Sequence, residues 1–183
     1  MGKVFDHITD DIKQFIAKQH IFFVASAPLE GGHVNVSPKG MDSFRLLGGQ
    51  RVGYLDMTGS GNETSAHLAE NGRITLMFCA FEGSPNVVRL YGKGYTVLPD
   101  TPEWDELIPH FTMFTGTRQL IIADIDRVST ACGYAVPFFD YKSERETLVK
   151  YWDAKEDTLP EYHEKKNFTS IDGLSAPIST KQG

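Results

Sequence analysis

The sequence predicts one mainly β domain, in which short antiparallel strands close, or nearly close, into a barrel. Six apolar or alternating segments are separated mostly by turn residues instead of long helices. Gly92 and Gly94 interrupt one long segment, which is typical of the bulges and bends that close barrels. No repeat or linker divides the 183 residues, a length that suits one domain with a sizeable core.

The elements follow from periodicity. Apolar residues at helical spacing predict an amphipathic opening helix over residues 5–16. A hairpin follows, with strands over residues 21–27 and 33–37 joined by a turn at 28–32. The remaining four strands are expected over residues 51–57, 73–81, 86–98 and 118–136.

Three helices are expected between or after these strands. A short one, opened by a Ser60-x-x-Glu63 capping box and stopped by Asn71-Gly72, joins the third and fourth strands. Turn residues open a helical interruption over residues 99–111. After Pro137 the composition changes, and apolar spacing predicts a C-terminal helix within residues 141–152, followed by a polar tail. We therefore expect one domain over residues 1–183, with a core at 15–136 and a C-terminal helix and tail at 137–183.

Composition excludes several function classes. The formal net charge of −6 argues against general nucleic-acid binding, which needs a basic face. No apolar run approaches the ~20 residues that cross a bilayer, and the N-terminus lacks the apolar region of a secretion signal, so we expect a cytoplasmic protein without a membrane span. Cys79 and Cys132 stand in apolar surroundings and are expected to be buried thiols. The histidines lack metal-ligand spacing, and His67 is expected on a helix surface.

The loop Gly59-Ser60-Gly61-Asn62 allows three interpretations. It is a capped connector, an anion site at a helix N-terminus, or part of a dinucleotide-binding fingerprint. An anion site would use close backbone approach at the glycines and short donors from the surrounding side chains, namely Thr58, Ser60, Asn62, Thr64 and Ser65. The third fingerprint glycine is replaced by Thr64, and the helix is short for a parallel crossover, so the dinucleotide interpretation is disfavoured.

Two cations stand out elsewhere. Lys39 follows a strand and a proline, where it is either a solvated loop residue or a ligand contact with a fixed backbone. Arg89 lies inside an apolar strand, so it either faces solvent or needs a buried partner.

Three segments together resemble the pyridoxamine 5′-phosphate oxidase-like, FMN-binding split-barrel family. They are "FFVASAPLEGGHVNVSPKG", "DMTGSGNETSAHLAENGRITLMF" and "RLYGKG", and the resemblance covers roughly residues 15–130. It implies a six-stranded antiparallel split barrel with flanking helices, working as a homodimer with FMN at the subunit interface. The cofactor contacts it implies are Val36, Ser37, Lys39, Thr58, Ser60, Asn62, Thr64 and Arg89.

The chain differs from the true oxidases at two places. Glu63-Thr64 stands where they carry an Arg-Lys pair, and the end reads "LSAPIS" where they have an Arg-Leu-x-Pro segment. These differences argue against pyridoxamine phosphate as the substrate. The leading hypothesis is a flavin-dependent oxidoreductase acting on another small molecule. The alternatives are a non-catalytic flavin-binding or stress-related protein, and a haem or deazaflavin binder on the same barrel.

Overall fold

The computed structural model describes residues 2–182 and shows one antiparallel sheet of eight strands with five α-helices. The strands are β1 (Val4–Phe5), β2 (Phe22–Ser26), β3 (Asn35–Lys39), β4 (Phe44–Gly48), β5 (Arg51–Met57), β6 (Arg73–Cys79), β7 (Val87–Val97) and β8 (Thr117–Ala131). The helices are α1 (Asp10–Ile16), α2 (Glu63–Asn71), α3 (Pro102–Leu107), α4 (Thr147–Asp153) and α5 (Leu159–Lys166). The expected mainly β architecture with N- and C-terminal helices is confirmed.

The strand order is β3-β2-β6-β7-β8-β5-β4, and β1 pairs with β8. Every pairing is antiparallel. Three antiparallel steps separate β5 from β6, so these strands run in opposite directions although α2 joins them. A dinucleotide-binding βαβ unit needs parallel strands, so that interpretation is wrong.

The core fills the inside of the curled sheet. Alternate residues of neighbouring strands point inward and are almost fully buried, for example Val24, Leu76 and Leu90. Helix α1 adds Ile12 and Ile16 to this cluster. A second cluster, which includes Trp104, packs α3 against β8. Burial of these apolar side chains is the main force that holds the sheet in its curled form.

The strand count exceeds the six expected because two strands have weak sequence signals. Val4–Phe5 pairs with β8 instead of starting the opening helix, since Thr9 caps that helix and accepts from Ile12 N. Strand β4 follows β3 after a turn in which Met41 has a φ of 59°. The return strand of the hairpin is shifted to Asn35–Lys39, and the last strand ends at Ala131 instead of 136.

Helix α2 ends as expected but begins differently. Gly72 adopts a left-handed φ of 71° and closes the helix after Asn71. At the other end the cap residue is Asn62, and no side chain caps it, so the expected Ser60–Glu63 capping box is wrong. The carboxylate of Glu63 instead accepts from the backbone N–H of Ile171, which lies in the C-terminal tail.

The C-terminal region is more structured than its polar composition indicated. The expected helix is present as α4, and α5 follows it. Residues beyond α5 fold back so that Ala176 and Ile178 pack on Ala66 of α2. His67 is fully buried and Cys132 is exposed, so both of those expectations are wrong, whereas Cys79 is buried as expected. Among residues 2–182, no helix combines the length and apolarity that a bilayer crossing requires.

Candidate functional site

The barrel is split where β3 faces the end of β5 and the start of α2. No backbone pairing joins β3 to β5 in the described chain; polar side chains bridge the gap instead. Lys39 Nζ donates to Asp56 Oδ1 at 2.7 Å, and Asn35 Nδ2 donates to Thr64 Oγ1 at 3.1 Å. We call this gap, with its bridging side chains, the split.

Asp56 is the electrostatic centre of the split. Its second carboxylate oxygen accepts from Arg118 Nε at 2.9 Å and from Gln119 Nε2 at 2.7 Å. Asp56 is only 2% exposed and Arg118 only 5%. Burial by itself would raise the pKa of Asp56, but the Arg118 and Lys39 charges outweigh it and hold the pKa well below its usual range. The carboxylate is therefore ionised at neutral pH, and the three charged groups together carry a net charge of +1.

Loop 58–62 lies beside this cluster, and three of its backbone carbonyls accept hydrogen bonds from buried side chains. Trp152 Nε1 donates to Thr58 O at 3.0 Å, Asn167 Nδ2 donates to Gly59 O at 2.9 Å, and an Arg118 nitrogen donates to Gly61 O at 2.8 Å. All three donor residues are buried.

This anchoring fixes where the N–H groups point. The peptide bonds of the described chain are trans, and in a planar trans peptide the N–H of the next residue points opposite to the carbonyl. The carbonyls of Thr58, Gly59 and Gly61 point into the protein, so the N–H groups of Gly59, Ser60 and Asn62 point away from their anchors. Ser60 is exposed, and nothing lies within 4 Å of where a Cβ of Gly59 would be. Asn62 is buried, so the N–H groups that can face outward are those of Gly59 and Ser60; beside a helix N-terminus they form an arrangement suited to an anion.

Three expected contact side chains on this loop and helix are buried in the protein itself. Thr58 Oγ1 lies 2.8 Å from His163 Nε2, and Asn62 bonds both Gln119 and the Asn167 carbonyl. The Thr64 hydroxyl accepts from Asn35. These side chains shape the loop from inside, and only Ser60 presents its side chain outward.

Of the expected residues on strands, Ser37 and Lys39 face the split, but Val36 and Arg89 do not. Lys39 is in register with Phe22, Phe78 and Val88, which are all core residues. Arg89, next to Val88, therefore lies on the outer face of the sheet, where it is half-buried. Val36 lies on the same outer face and is 61% exposed. The structure does not bring Lys39 and Arg89 together.

A groove of about 1450 Å³ adjoins the split at Lys39. It runs between the end of α1, the end of β3, the loop after β6 and segment 139–146, which precedes α4. Aromatic residues line it, and the ring of Tyr141 stacks on His20 with centroids 3.6 Å apart and planes 6° apart. The groove is large enough for a cofactor-sized planar molecule.

Asp56, Arg118, His163 and Asn167 were missed from the sequence. Asp56 and Arg118 each flank apolar residues of a strand, and a buried charge needs a partner, so their pairing had a weak signal. His163 and Asn167 had none, because more than 100 residues separate them from the loop they contact. Among the side chains of residues 2–180, no group of three or more His, Cys, Asp and Glu is placed to hold a metal ion.

Comparison with known proteins identifies the family of this chain. A family model for pyridoxamine 5′-phosphate oxidase matches residues 8–132. The pyridoxamine 5′-phosphate oxidase family protein ustO of Aspergillus flavus is 37% identical over 188 residues, covering 93% of this chain and 76% of that protein.

Two solved structures show the same fold. A candidate pyridoxamine 5′-phosphate oxidase from Lactobacillus delbrueckii has a TM-score of 0.54 at 15% identity, covering 68% of this chain and 94% of that one. An FAD-binding protein from Mesorhizobium loti has a TM-score of 0.51 at 12% identity, covering 71% and 96%. From the match to the family model and the identity to the fungal relative, the chain belongs to the pyridoxamine 5′-phosphate oxidase family.

Proposed function

We propose that the protein binds FMN and acts as a flavin-dependent oxidoreductase on a small molecule other than pyridoxamine phosphate. The observation that carries this proposal is the outward-facing N–H groups of loop 58–62, next to a split that holds net positive charge. Membership of the family supports it, as does the fold shared with an FAD-binding protein.

The residues present fit a flavin phosphate. The loop offers backbone N–H groups and the exposed Ser60 hydroxyl, and Gly59 leaves space for close approach. The ammonium of Lys39 has three donors, of which one reaches Asp56, and its side chain is 21% exposed. Glu63 would repel a phosphate, but its carboxylate is directed to the Ile171 N–H. The donors and the net +1 charge of the split thus take the place of the missing Arg-Lys pair.

When bound, a flavin supplies hydride acceptance at its ring. This chain's residues would bind and orient it: loop 58–62 would hold the phosphate, and the aromatic-lined groove that includes Lys39 would take the planar rings. No protein nucleophile is needed for this role.

We also propose that the working form is a homodimer. Val34, just before β3, is 72% exposed, and Val36 on β3 is 61% exposed; after β8, Tyr134 is 83% exposed and Phe138 is 78% exposed. Val34 and Val36 are two residues apart, and exposed apolar side chains that lie close together are typical of an interface. Light scattering of Val36→Glu tests this: the variant should be monomeric where the wild type is dimeric, and a monomeric wild type would reject the proposal.

The absorption spectrum of the purified protein, before and after adding FMN, tests the cofactor. Flavin bands with quenched fluorescence support the proposal, whereas a Soret band or a colourless protein that ignores FMN would reject it. Adding NADH or NADPH under anaerobic conditions then tests the activity. Bleaching of the flavin supports an oxidoreductase, and a flavin that neither donor reduces would favour the non-catalytic alternative.

A further inference from the structure

Asn167, the residue that ends α5, holds loop 58–62 from a distance of more than 100 residues in sequence. Its side-chain Nδ2 donates to Gly59 O at 2.9 Å, and its backbone carbonyl accepts from Asn62 Nδ2 at 3.1 Å. Asn167 is fully buried. It therefore contacts both sides of the exposed residue Ser60 without reaching the surface itself.

We propose that Asn167 is a positioning residue for the phosphate subsite: its amide sets the Gly59–Ser60 peptide so that the Ser60 N–H faces the ligand. The inference rests on the proposed flavin function and extends it to the C-terminal tail.

Each anchored carbonyl of the loop has its own donor. Trp152 holds Thr58 O and Arg118 holds Gly61 O, so among the described contacts only Asn167 holds Gly59 O. Because N–H and C=O of one trans peptide point in opposite directions, a hydrogen bond to Gly59 O orients the Ser60 N–H. Without that bond the peptide can rotate and present a carbonyl, which an anion repels.

Local sterics do not hold this peptide by themselves. Gly59 has no side chain, and no atom lies within 4 Å of where its Cβ would be. The other polar atom of the Asn167 amide, Oδ1, is buried and has no hydrogen-bond partner in the described structure. The side chain thus forms a single hydrogen bond, and that bond is directed to the loop.

The hydrogen bond from Asn167 to Gly59 O matters more in this chain because the Arg-Lys pair of the oxidases is replaced by Glu63-Thr64. Glu63-Thr64 supplies no positive charge at the helix start, so more of the phosphate binding depends on correctly oriented N–H groups. Loss of the hydrogen bond that orients one of these peptides should then weaken the binding of FMN, which has a phosphate, and leave the binding of riboflavin, which has none, unchanged.

The test compares FMN and riboflavin binding, by fluorescence quenching, in the wild type and Asn167→Leu. The variant keeps a similar side-chain size and removes the donor. We expect the Kd for FMN to rise about tenfold, the effect of one lost hydrogen bond. The Kd for riboflavin should stay within about twofold of the wild-type value, which is below the effect of one hydrogen bond.

Ser170→Ala is the matched control. Its buried hydroxyl accepts from Asp172 N and Leu174 N within the tail and has no recorded bond to the loop. This variant loosens the tail, and its FMN affinity should match the wild type. If Ser170→Ala weakens FMN as much as Asn167→Leu, general stability of the tail is the cause and the positioning role is rejected.

The outcomes separate the two proposals. A wild type that binds neither flavin rejects the proposed function, and the positioning role with it. A wild type that binds FMN while Asn167→Leu binds it equally well, or loses both flavins equally, rejects only the positioning role. If Asn167→Leu does not fold, amide NMR of the wild type decides: the Ser60 N–H resonance should shift with FMN and not with riboflavin, and an unmoved resonance rejects the inference.

Discussion

Asp56→Asn should destabilise the fold strongly, because Asp56 is the carboxylate that pairs with both cations of the split in the described structure. The substitution preserves shape but leaves Arg118, 5% exposed, without a countercharge. Removing one partner of a buried ion pair costs about 3–5 kcal/mol. For a chain of this size, each kcal/mol lowers the midpoint of thermal unfolding by about 2–4 °C, so we expect a fall of roughly 6–20 °C.

Asp124→Asn provides a matched control in the same sheet. Asp124 pairs with Arg51 at 2.8 Å, but their side chains are 53% and 45% exposed. Exposed pairs contribute about 0–1 kcal/mol, so this variant should unfold close to the wild type. Urea and thermal unfolding at neutral pH measure both variants. If the free energy of unfolding of Asp56→Asn lies within about 1 kcal/mol of that of Asp124→Asn, the stability of the split does not depend on a buried charge and the reasoning fails.

The pH dependence gives the same prediction an independent readout. The folded pKa of Asp56 is lowered, because Arg118 and Lys39 together outweigh the opposing effect of burial. A lowered pKa contributes stability that is complete above the unfolded pKa, near 3.8, and is lost as the pH falls towards the folded pKa. The stability difference between wild type and Asp56→Asn should therefore be constant near neutral pH and narrow below about pH 4.

Three other predictions follow from the site and the tail. Lys39→Ala should weaken FMN binding by about 1–3 kcal/mol, the range of a charge-assisted hydrogen bond, and a flavin titration showing unchanged affinity would remove Lys39 from the site. Burial, followed by the Arg118 charge, lowers the pKa of His163 to about 4. The unfolded chain therefore takes up this proton first, and the free energy of unfolding of the wild type, measured in urea, should fall as the pH drops from about 6.5 to 4. His163→Gln should lack this dependence on pH. The hydrogen bond and charge of Asp172 raise the pKa of His33, so this pair stabilises the tail at low pH and loses the effect as the pH rises through the raised pKa. In Asp172→Asn, an NMR titration should find the His33 pKa at its ordinary value, and an unchanged pKa would contradict the contact.

Much of the fold was readable from local pattern. Apolar or alternating segments identified β2, β5, β6, β7 and β8, and β3 with shifted bounds, and Asn71-Gly72 marked the end of α2. Strand β1 was missed because two residues carry no period, and β4 because only its pairing with β5 distinguishes it from a loop. The capping box failed for a different reason: the tail supplies Ile171 N–H, and Glu63 accepts from that distant donor instead of its own helix end.

The sequence singled out some of the residues that the structure brings to the split, but not their contacts. The sequence pointed to Lys39 and to loop 58–62, and the structure puts both beside the split. It grouped Arg89 with them, and the register of β6 and β7 places Arg89 on the opposite face. Thr58 and Asn62 were expected to reach a ligand, yet both are buried and bonded to the C-terminal region.

The sequence by itself determined the class of the protein: antiparallel strands, a helix opening after a glycine-rich turn, and a lysine at a strand end. These features depend on residues close together in the chain, where period and turn chemistry operate. The tertiary structure decided which groups meet. Asp56 with Arg118, and Gly59 with Asn167, are pairs separated by 62 and 108 residues, and only closure of the barrel and docking of the tail bring them within hydrogen-bond distance.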